Sequence, residues 1–405
     1  MEHIEKFLDL LEKDEISSFI YELFDKAIEL RASDIHIEPY KEYSIIRIRI
    51  DGKLIHFLKY KKEKHSQIIT KVKILAKMDI SEKRLPQDGS INLYRYSNID
   101  FRVSSLNTVN GEKIEIRILS FEQYSINSRL LGFSENSKNK LSEIIKSKSG
   151  MIIFSGPTGS GKSTSLYSLL NKLNSKDINI VTVEDPVEYH IDGINQIEVN
   201  ESIGLGFDTI LKSILRQDPD IVMIGEIRDT KTAKMAIRAS ITGHLVLTTL
   251  HTNDALSSII RLKDLGIEDY LLSSTISAVC SQRLVRKLCD CKEKTTFKEN
   301  ELRIVSQFRK DIDKDTIIYK PKGCAKCNSG YFGREAIEEV YVLNDNTKQI
   351  IKNGNYTLND LKNSFDYKKN HTFFESAIDK VLEGKTSFEE IMSVLYDYNI
   401  INMKI

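Results

Sequence analysis

Residues Gly156 to Thr164 read GPTGSGKST, and the four residues before them read IIFS. The apolar run predicts a buried strand, and STSLYSLLNKL, which begins at Ser163, predicts a helix. Glycines between these elements let backbone N–H groups turn toward an anion without a Cβ in the way, and the helix N-terminus adds its dipole. The pattern G-x-x-x-x-G-K-[S/T] in this setting therefore predicts a phosphate-binding loop for a nucleotide.

The residue types of this loop predict separate contacts with ATP. The Lys162 ammonium is expected to approach the β- and γ-phosphates, and the Ser163 hydroxyl is expected to coordinate Mg²⁺. The other candidate nucleotide contacts are the remaining residues of the loop: Gly156, Pro157, Thr158, Gly159, Ser160, Gly161 and Thr164.

Short apolar runs alternate with helical patterns on both sides of the loop. The runs are IIF, INIVTVE, IVMIGE and HLVLTTL. This alternation is typical of a buried parallel sheet with crossover helices, and it predicts an α/β core over residues 136–285.

Acidic residues follow two of these runs, and ATP hydrolysis needs a magnesium ligand and a group that orients water. Glu226 follows IVMIG, whereas Glu184, Asp185 and Glu188 follow INIVTV. Ligands bind at the carboxyl ends of parallel strands, so these acids are candidate catalytic residues. Acidic residues are also common in solvated turns, and this interpretation stays open, above all for Glu184 and Asp185.

Two histidines, His244 and His251, bound the run LVLTTL. A histidine beside a strand is more often a hydrogen-bonded structural residue than a reactive one. A histidine near a γ-phosphate would instead sense it by hydrogen bonding, so both interpretations stay open.

The rest of the chain predicts further domains. Residues 1–30 have helical periodicity, and residues 31–120 alternate in the manner of half-buried strands around the helical segment HSQIITKVKILAKM, which predicts an α+β domain. Residues 121–135 are predicted to be a polar linker.

Charge and hydropathy argue against several classes of protein, although a local basic patch could be present within a balanced total. Among 405 residues there are 59 Lys+Arg and 58 Asp+Glu, so the basic excess typical of nucleic-acid binding is absent. The N-terminus is charged throughout and lacks the apolar region of a signal peptide. No run approaches about 18 uncharged apolar residues, so we expect no transmembrane helix and a cytosolic location.

Four cysteines, Cys289, Cys291, Cys324 and Cys327, form C-x-C and C-x-x-C pairs within a predicted element at residues 286–335. Four thiolates are the natural shell of a structural zinc ion. Because residues i and i+2 of an extended chain point apart, the first pair must lie on a turn to share a metal. Reduced cysteines without metal and disulfides stay open as alternatives.

The fifth cysteine and the end of the chain carry weaker signals. Cys280 lies in an apolar stretch that we interpret as helical, so it is predicted to be a core residue. Residues 336–405 are predicted to form a C-terminal helical region.

Four motifs, GPTGSGKST, VTVEDPVEY, LRQDPDIVMIGEIRD and TGHLVLTTLHTNDA, occur in this order. They resemble the Walker A, Asp box, Walker B and His box of the secretion ATPases that drive type II secretion and type IV pilus assembly. SDIHIEP, CDC…CAKC and GYFGREAIEEV fit the same family. The resemblance implies a RecA-like P-loop NTPase core, a preceding PAS-like α+β domain, a zinc-binding cysteine element and assembly into a homohexamer.

The resemblance also implies phosphate contacts from arginines. Arg102 in FRVSSLNT and Arg117 in EIRIL match two arginines of the family that reach toward the nucleotide, and Arg216 is a further candidate. On the residues alone, arginines on strands are more often solvent-exposed. Lys212 departs from the family, which often has arginine there, and loses the planar fork of that side chain.

The roles of the acids and histidines transfer in the same way. Glu226 would organise the metal and its water, Glu188 would be the base, and Glu184 and Asp185 would lie near the metal. His244 would sense the γ-phosphate, and His251 would support the inner architecture of the subunit.

The resemblance implies an ATPase that moves an inner-membrane platform protein and thereby adds pilin-like subunits to a fibre. Such a motor would bind peripherally to the inner face of the cytoplasmic membrane through its partners and would not contact nucleic acid directly. Its assembly-type members commonly carry the cysteine element, whereas retraction motors lack it. A retraction motor, a nucleic-acid translocase and a non-hydrolysing scaffold stay open as alternatives.

Many assembly-type members begin with an additional domain that docks on a cytoplasmic membrane partner. Because SDIHIEP begins at Ser33, that domain is expected to be absent or reduced to the first helix. Recruitment is then expected to occur directly through the platform protein.

Overall fold

The computed structural model describes residues 2–96, 99–120, 132–365 and 372–397. The chain forms two compact units, Met1–Ile126 and Asn127–Ile405. Most of the predicted linker, residues 121–131, lies outside the described residues.

The first unit is an antiparallel sheet packed against helices, as the sequence predicts. Its six strands have the order β3-β2-β1-β6-β5-β4. They are β1 Ala32–Pro39, β2 Tyr43–Ile50, β3 Lys53–Lys61, β4 Gln87–Ile91, β5 Ile99–Thr108 and β6 Gly111–Ser120. Its α-helices are α1 Glu2–Glu12, α2 Ile16–Glu29 and α3 His65–Leu75.

Apolar and polar side chains alternate along β1, and this alternation decides which face of the sheet packs against the helices. Ile35 and Ile37 are fully buried among the aromatic side chains of the helices, including Phe19 and Phe24. Because successive side chains of a strand point to opposite faces, the residues between them belong to the other face, which is polar.

The second unit contains a seven-stranded sheet of order β15-β12-β7-β11-β10-β8-β9. All neighbours are parallel except β12 and β15. The strands are β7 Gly150–Ser155, β8 Ile180–Glu184, β9 Asn195–Glu198, β10 Ile221–Ile224, β11 Leu245–Leu250, β12 Ile276–Leu288 and β15 Tyr331–Val342.

Helices cover both faces of this sheet. They are α4 Glu135–Ile144, α5 Lys162–Leu173, α6 Phe207–Ile214, α7 Thr230–Ile241, α8 Ser257–Asp264 and α9 Asp269–Thr275. Met151 and Ile153 enter one apolar core, whereas Ile152 and Phe154 enter the core on the other face. The central strands are therefore buried at nearly every position, which is why they are largely apolar runs in the sequence.

The prediction of a helix around Cys280 is wrong. Cys280 is a fully buried core residue, as predicted, but it lies in β12, where the backbone pairs with β7 and β15. The predicted boundaries after residues 285 and 335 also cut through β12 and β15. The predicted C-terminal helical region therefore begins within a strand, because IEEVYV pairs with β12.

The remainder of the second unit is a small hairpin followed by helices. Strands β13 Glu293–Thr296 and β14 Ile317–Lys320 pair antiparallel, and helix α10 Glu299–Val305 lies between them in the chain. The later helices are α11 Asp345–Lys352, α12 Leu358–Ser364, α13 Phe373–Leu382 and α14 Phe388–Asp397. Among the described residues, no helix has both the length and the apolar character needed to span a membrane.

Candidate functional site

The predicted phosphate loop connects β7 to α5. Gly159 and Gly161 have φ angles of +77° and +90°, in the left-handed region that favours glycine. The surroundings of Gly156 also require glycine, because a Cβ there would stand 2.7 Å from the Gln282 carbonyl oxygen and 2.5 Å from Ser160 Oγ. The loop backbone is thus tightly packed against β12.

Lys162 folds back over this loop. Its Nζ donates hydrogen bonds to the carbonyl oxygens of Gly156 at 2.8 Å and Pro157 at 3.0 Å. Burial lowers the pKa of Lys162 to about 8, although the charge of Glu226 acts in the opposite direction. The ammonium is therefore held at the loop, where phosphate oxygens would replace its carbonyl partners.

Two serine hydroxyls of the loop have contrasting surroundings. Ser160 Oγ is buried and has no hydrogen-bond partner within the described part of the chain. Ser163 lies in the first turn of α5 and is exposed. A buried hydroxyl without a partner beside glycine N–H groups is the environment that a ligand oxygen would complete.

Glu226 follows β10 at the same edge of the sheet. Its Oε2 lies 3.3 Å from Nε2 of His251, and its Oε1 pairs with the Arg228 guanidinium. Burial and the nearby Lys162 charge lower the pKa of His251, whereas Glu226 opposes this shift. The structure therefore brings Lys162, Glu226 and His251 together.

Strand order explains this convergence. β11 lies between β7 and β10, and all three strands are parallel, with Leu250 paired to Ser155 and Ile224 paired to Thr248. Their carboxyl ends meet at one edge, where such sheets bind ligands.

Glu184 lies at the end of β8 but does not face an open site. Its carboxylate accepts hydrogen bonds from the Tyr167 hydroxyl, from Thr182 Oγ1 at 2.6 Å and from Gln196 Nε2 at 3.3 Å. The Tyr167 oxygen in turn accepts from the Glu188 backbone N–H at 3.2 Å. Glu184 thus fixes Tyr167 and, through it, the backbone of the predicted base.

Arg228 links the two acidic segments and was not assigned a role from the sequence. Its guanidinium pairs with Glu226 and lies 3.7 Å from the Asp185 carboxylate. The hydrogen bond with Glu226 raises the pKa of Arg228 further. The sequence GEIRD already indicated such a role for this arginine, because a cation two residues after an acid at the end of a strand lies at the same edge of the sheet.

His244, the residue predicted to sense the γ-phosphate, lies away from the phosphate loop of its own subunit. His244 precedes β11, so it lies at the amino edge of the sheet, about 20 Å from the level of the phosphate loop at ~3.3 Å per residue. Its Nδ1 lies 2.9 Å from the Ala239 carbonyl oxygen at the end of α7. His251, at the other end of the strand, is the histidine of the site.

Arg216 is also at the amino edge, because it precedes β10. Its guanidinium donates to the Lys212 carbonyl oxygen at 2.8 Å and to Ser213 Oγ at 3.2 Å. Lys212, the residue that departs from the family pattern, lies 3.2 Å from Asp208 on α6. Within one subunit, neither side chain belongs to the site around Lys162.

Arg102 and Arg117 lie on the polar face of the first unit. They are directly paired across β5 and β6. Arg117 Nε is 3.3 Å from Asp34 Oδ1, and Arg102 Nε is 4.0 Å from Asp100 Oδ2. Like charges on opposed residues destabilise a sheet, so this pair favours a nearby anion. Their contact with ATP stays a prediction.

The four cysteines converge, although C-x-C is one residue shorter than C-x-x-C. The Sγ atoms of Cys289 and Cys324 are 3.8 Å apart, as are those of Cys291 and Cys327, and Cys324 and Cys327 are 3.6 Å apart. Lys292 N donates to the Cys289 carbonyl oxygen at 3.0 Å, which forms the turn that a shared metal requires.

These distances distinguish the alternatives for the cysteines. A disulfide needs about 2.05 Å between sulfurs, and all five cysteines are free thiols. A tetrahedral zinc with bonds of about 2.3 Å separates its sulfurs by about 3.8 Å. The cluster therefore has the dimensions of a tetrathiolate metal site.

Comparison with known proteins gives consistent matches. A family model described as "Type II/IV secretion system protein" matches residues 9–393. Type II secretion system protein E of Aeromonas hydrophila is 42% identical over 392 residues, which cover 95% of this chain and 77% of that protein. Type II secretion system ATPase E of Vibrio cholerae is 41% identical over 394 residues, with the same shares covered.

A solved structure extends the comparison to the fold. The crystal structure of the pilus retraction motor PilT with bound ADP is 26% identical, with a TM-score of 0.62. The alignment covers 92% of this chain and 95% of PilT.

Proposed function

Because the chain belongs to the type II/IV secretion system protein family and is a secretion ATPase, we propose that ATP hydrolysis at the Lys162–Glu226 site powers the assembly of a pilin-like fibre. The observation that carries this proposal is the convergence of Lys162, Glu226 and His251 at one sheet edge. Phosphoryl transfer depends mainly on positioning and on charge stabilisation, which these side chains provide.

The proposed contacts follow the geometry of the loop. Loop N–H groups and Lys162 hold the phosphates, and the Ser160 hydroxyl donates to a phosphate oxygen. His251 donates from Nε2 to the γ-phosphate, while Glu226 orients the attacking water. Glu188 is the proposed base, held through its backbone by Tyr167.

Mg²⁺ fits this arrangement through Ser163 and Glu226. In the described ranges, no group of three His, Cys, Asp or Glu side chains apart from the cysteines lies close enough to hold an ion alone. Magnesium commonly takes one or two protein oxygens plus substrate phosphates, so the residues present suit it. When bound, it would neutralise charge that develops on the phosphates.

A zinc ion is the proposed occupant of the four-cysteine cluster. It would fix the Cys289–Cys291 turn against the Cys324–Cys327 turn, which supports a structural role. Four protein ligands leave no open position for substrate, so we assign zinc no part in hydrolysis.

Assembly rather than retraction is the proposed direction, and the cysteine cluster is the feature that supports it. The proposed working form is a homohexamer that acts on an inner-membrane platform protein and associates peripherally with the membrane. Arg102 and Arg117 remain proposed phosphate contacts.

ATP turnover by the purified chain tests the chemistry. We expect Mg²⁺-dependent phosphate release from the wild type and at least about 100-fold less from Glu226→Gln, with ATP binding retained. Lys287→Met, an exposed change on β12, is the matched control. The proposal would be refuted if the wild-type protein hydrolysed no ATP, either by itself or together with its platform protein.

Complementation of a deletion strain tests the direction of work. Loss of fibres or of secretion on deletion, restored by the wild type and not by Glu226→Gln, is the expected result. An excess of fibres on deletion would instead identify a retraction motor.

A further inference from the structure

Gln282 and Arg283 are buried polar residues for which the proposed chemistry has no role. Their exposed fractions are 2% and 1%. β12 is paired with β7 as far as Ser281 and Ser155, so both residues lie where β7 turns into the phosphate loop. Together they form the base of that loop.

Gln282 supports the helix that follows the loop. Its Oε1 accepts a hydrogen bond of 2.7 Å from Ser165 Oγ in α5. A Cβ at Gly161 would stand 2.5 Å from Gln282 Nε2, so the start of α5 packs directly on this amide. Gln282 therefore holds the element that presents Lys162.

Arg283 supports a different segment, residues 251–256. One guanidinium nitrogen, Nη1, donates to the Gln282 carbonyl oxygen at 2.8 Å, and Nη2 donates to the carbonyl oxygen of Asn253. Asn253 lies two residues after His251. The side chain thus connects the strand beneath the phosphate loop to the segment that carries the histidine.

The shape of arginine matters at this position. Its guanidinium carbon lies 5.3 Å from the centroid of the Phe373 ring, while its nitrogens reach carbonyl groups on two segments. A lysine keeps the charge but offers neither a planar fork nor the same contact with an aromatic face.

We propose that Arg283 is a positioning residue that sets the location of His251 relative to the phosphate loop. This inference rests on the proposed function, because it assigns His251 a contact made during ATP hydrolysis. A displacement of about 1 Å in a catalytic group can lower a rate by about 100-fold, so the support of this segment affects turnover.

The test compares Arg283→Lys and Arg283→Met with Gln282→Ala. For Arg283→Lys we expect a kcat about tenfold lower, with the KM for ATP changed by less than about threefold. Arg283→Met should lower kcat further. Gln282→Ala should mainly raise KM, because it releases the helix that presents Lys162.

A double-mutant cycle separates positioning from a general loss of stability. If Arg283 acts through His251, then Arg283→Lys in a His251→Ala background should lower kcat no further. Additive losses, or a kcat of Arg283→Lys equal to that of the wild type, would overturn the inference. Arg283→Lys keeps the buried charge, so it carries the test if Arg283→Met does not fold.

Measurements on the wild-type enzyme and on Lys287→Met separate a failure of the inference about Arg283 from a failure of the proposed function. If both turn over ATP while Arg283→Lys has no effect on kcat, the inference fails and the proposed function stands. If neither turns over ATP, the proposed function fails first.

Discussion

Two histidines flank β11, and the direction of the strand gives them different surroundings. We expect His251→Ala to lower kcat for ATP hydrolysis by about tenfold or more, because it removes the partner of Glu226. His244→Ala should change kcat by less than about threefold, since that side chain lies at the opposite edge. Steady-state kinetics of both variants measure the difference, and equal losses would contradict this assignment.

Glu339 is a buried carboxyl group whose Oε1 accepts from Ala255 N–H at 2.7 Å. Burial raises its pKa to about 7, the hydrogen bond from Ala255 opposes this shift, Asp254 acts in the same direction as burial, and Lys362 and Arg283 oppose it. In an unfolded chain the pKa is about 4.3, so the folded state binds this proton more tightly. The stability it contributes is complete below about pH 4.3 and is lost as pH rises through about 7.

Glu339→Gln tests this pH dependence. The amide keeps an acceptor for Ala255 and does not titrate, so the variant should unfold at a higher temperature than the wild type at pH 8. The difference, on the order of 4 kcal/mol at most, should disappear near pH 4.5. Thermal melts at both pH values measure it, and a pH-independent difference would rule out titration of Glu339 as the cause.

The roles of single residues were predictable from the sequence only where a motif fixed them. Lys162 and Glu226 follow strands in a recognisable pattern, and both reach the site. The hydrogen bonds of Glu184 and Arg283 could not be predicted, because their partners are far away in the chain. The position of His251 beside the phosphate loop could have been predicted, because only a residue after a parallel strand lies at the edge of the sheet where the loop begins.

Among the elements, the four-cysteine cluster ties the end of β12 to the turn that precedes β15. We expect purified protein to contain about one zinc per chain. Chelation or Cys324→Ser should lower the melting temperature, because metal that binds only the folded state stabilises it. Lys326→Ala, an exposed change in the same turn, is the control. Metal-free protein with an unchanged melting temperature would exclude a structural zinc.

The strands differ in how well their sequences predict them. β7, β8, β10 and β11 are largely apolar runs, because apolar cores lie on both of their faces. β12 was not predicted as a strand, because Ser281, Gln282 and Arg283 interrupt its apolar pattern. These polar residues are buried by contacts that form only in the folded sheet.

At the scale of the whole molecule, each unit has its own apolar core. We therefore expect residues 1–120, expressed alone, to unfold in a single cooperative transition. Circular dichroism and chemical denaturation measure this, and coincident transitions by both probes are the expected result. A product without a cooperative transition would mean that the first unit needs the rest of the chain to fold.

Strand β12 ends at Leu288, and Cys289 follows it directly. One stiff segment of about 20 Å, at ~3.3 Å per residue, thus joins the base of the phosphate loop to the thiolate cluster. A cobalt ion in place of zinc would give this cluster visible absorption bands. A change in these bands on adding nucleotide would report events at the phosphate loop from a site to which we assign no part in hydrolysis.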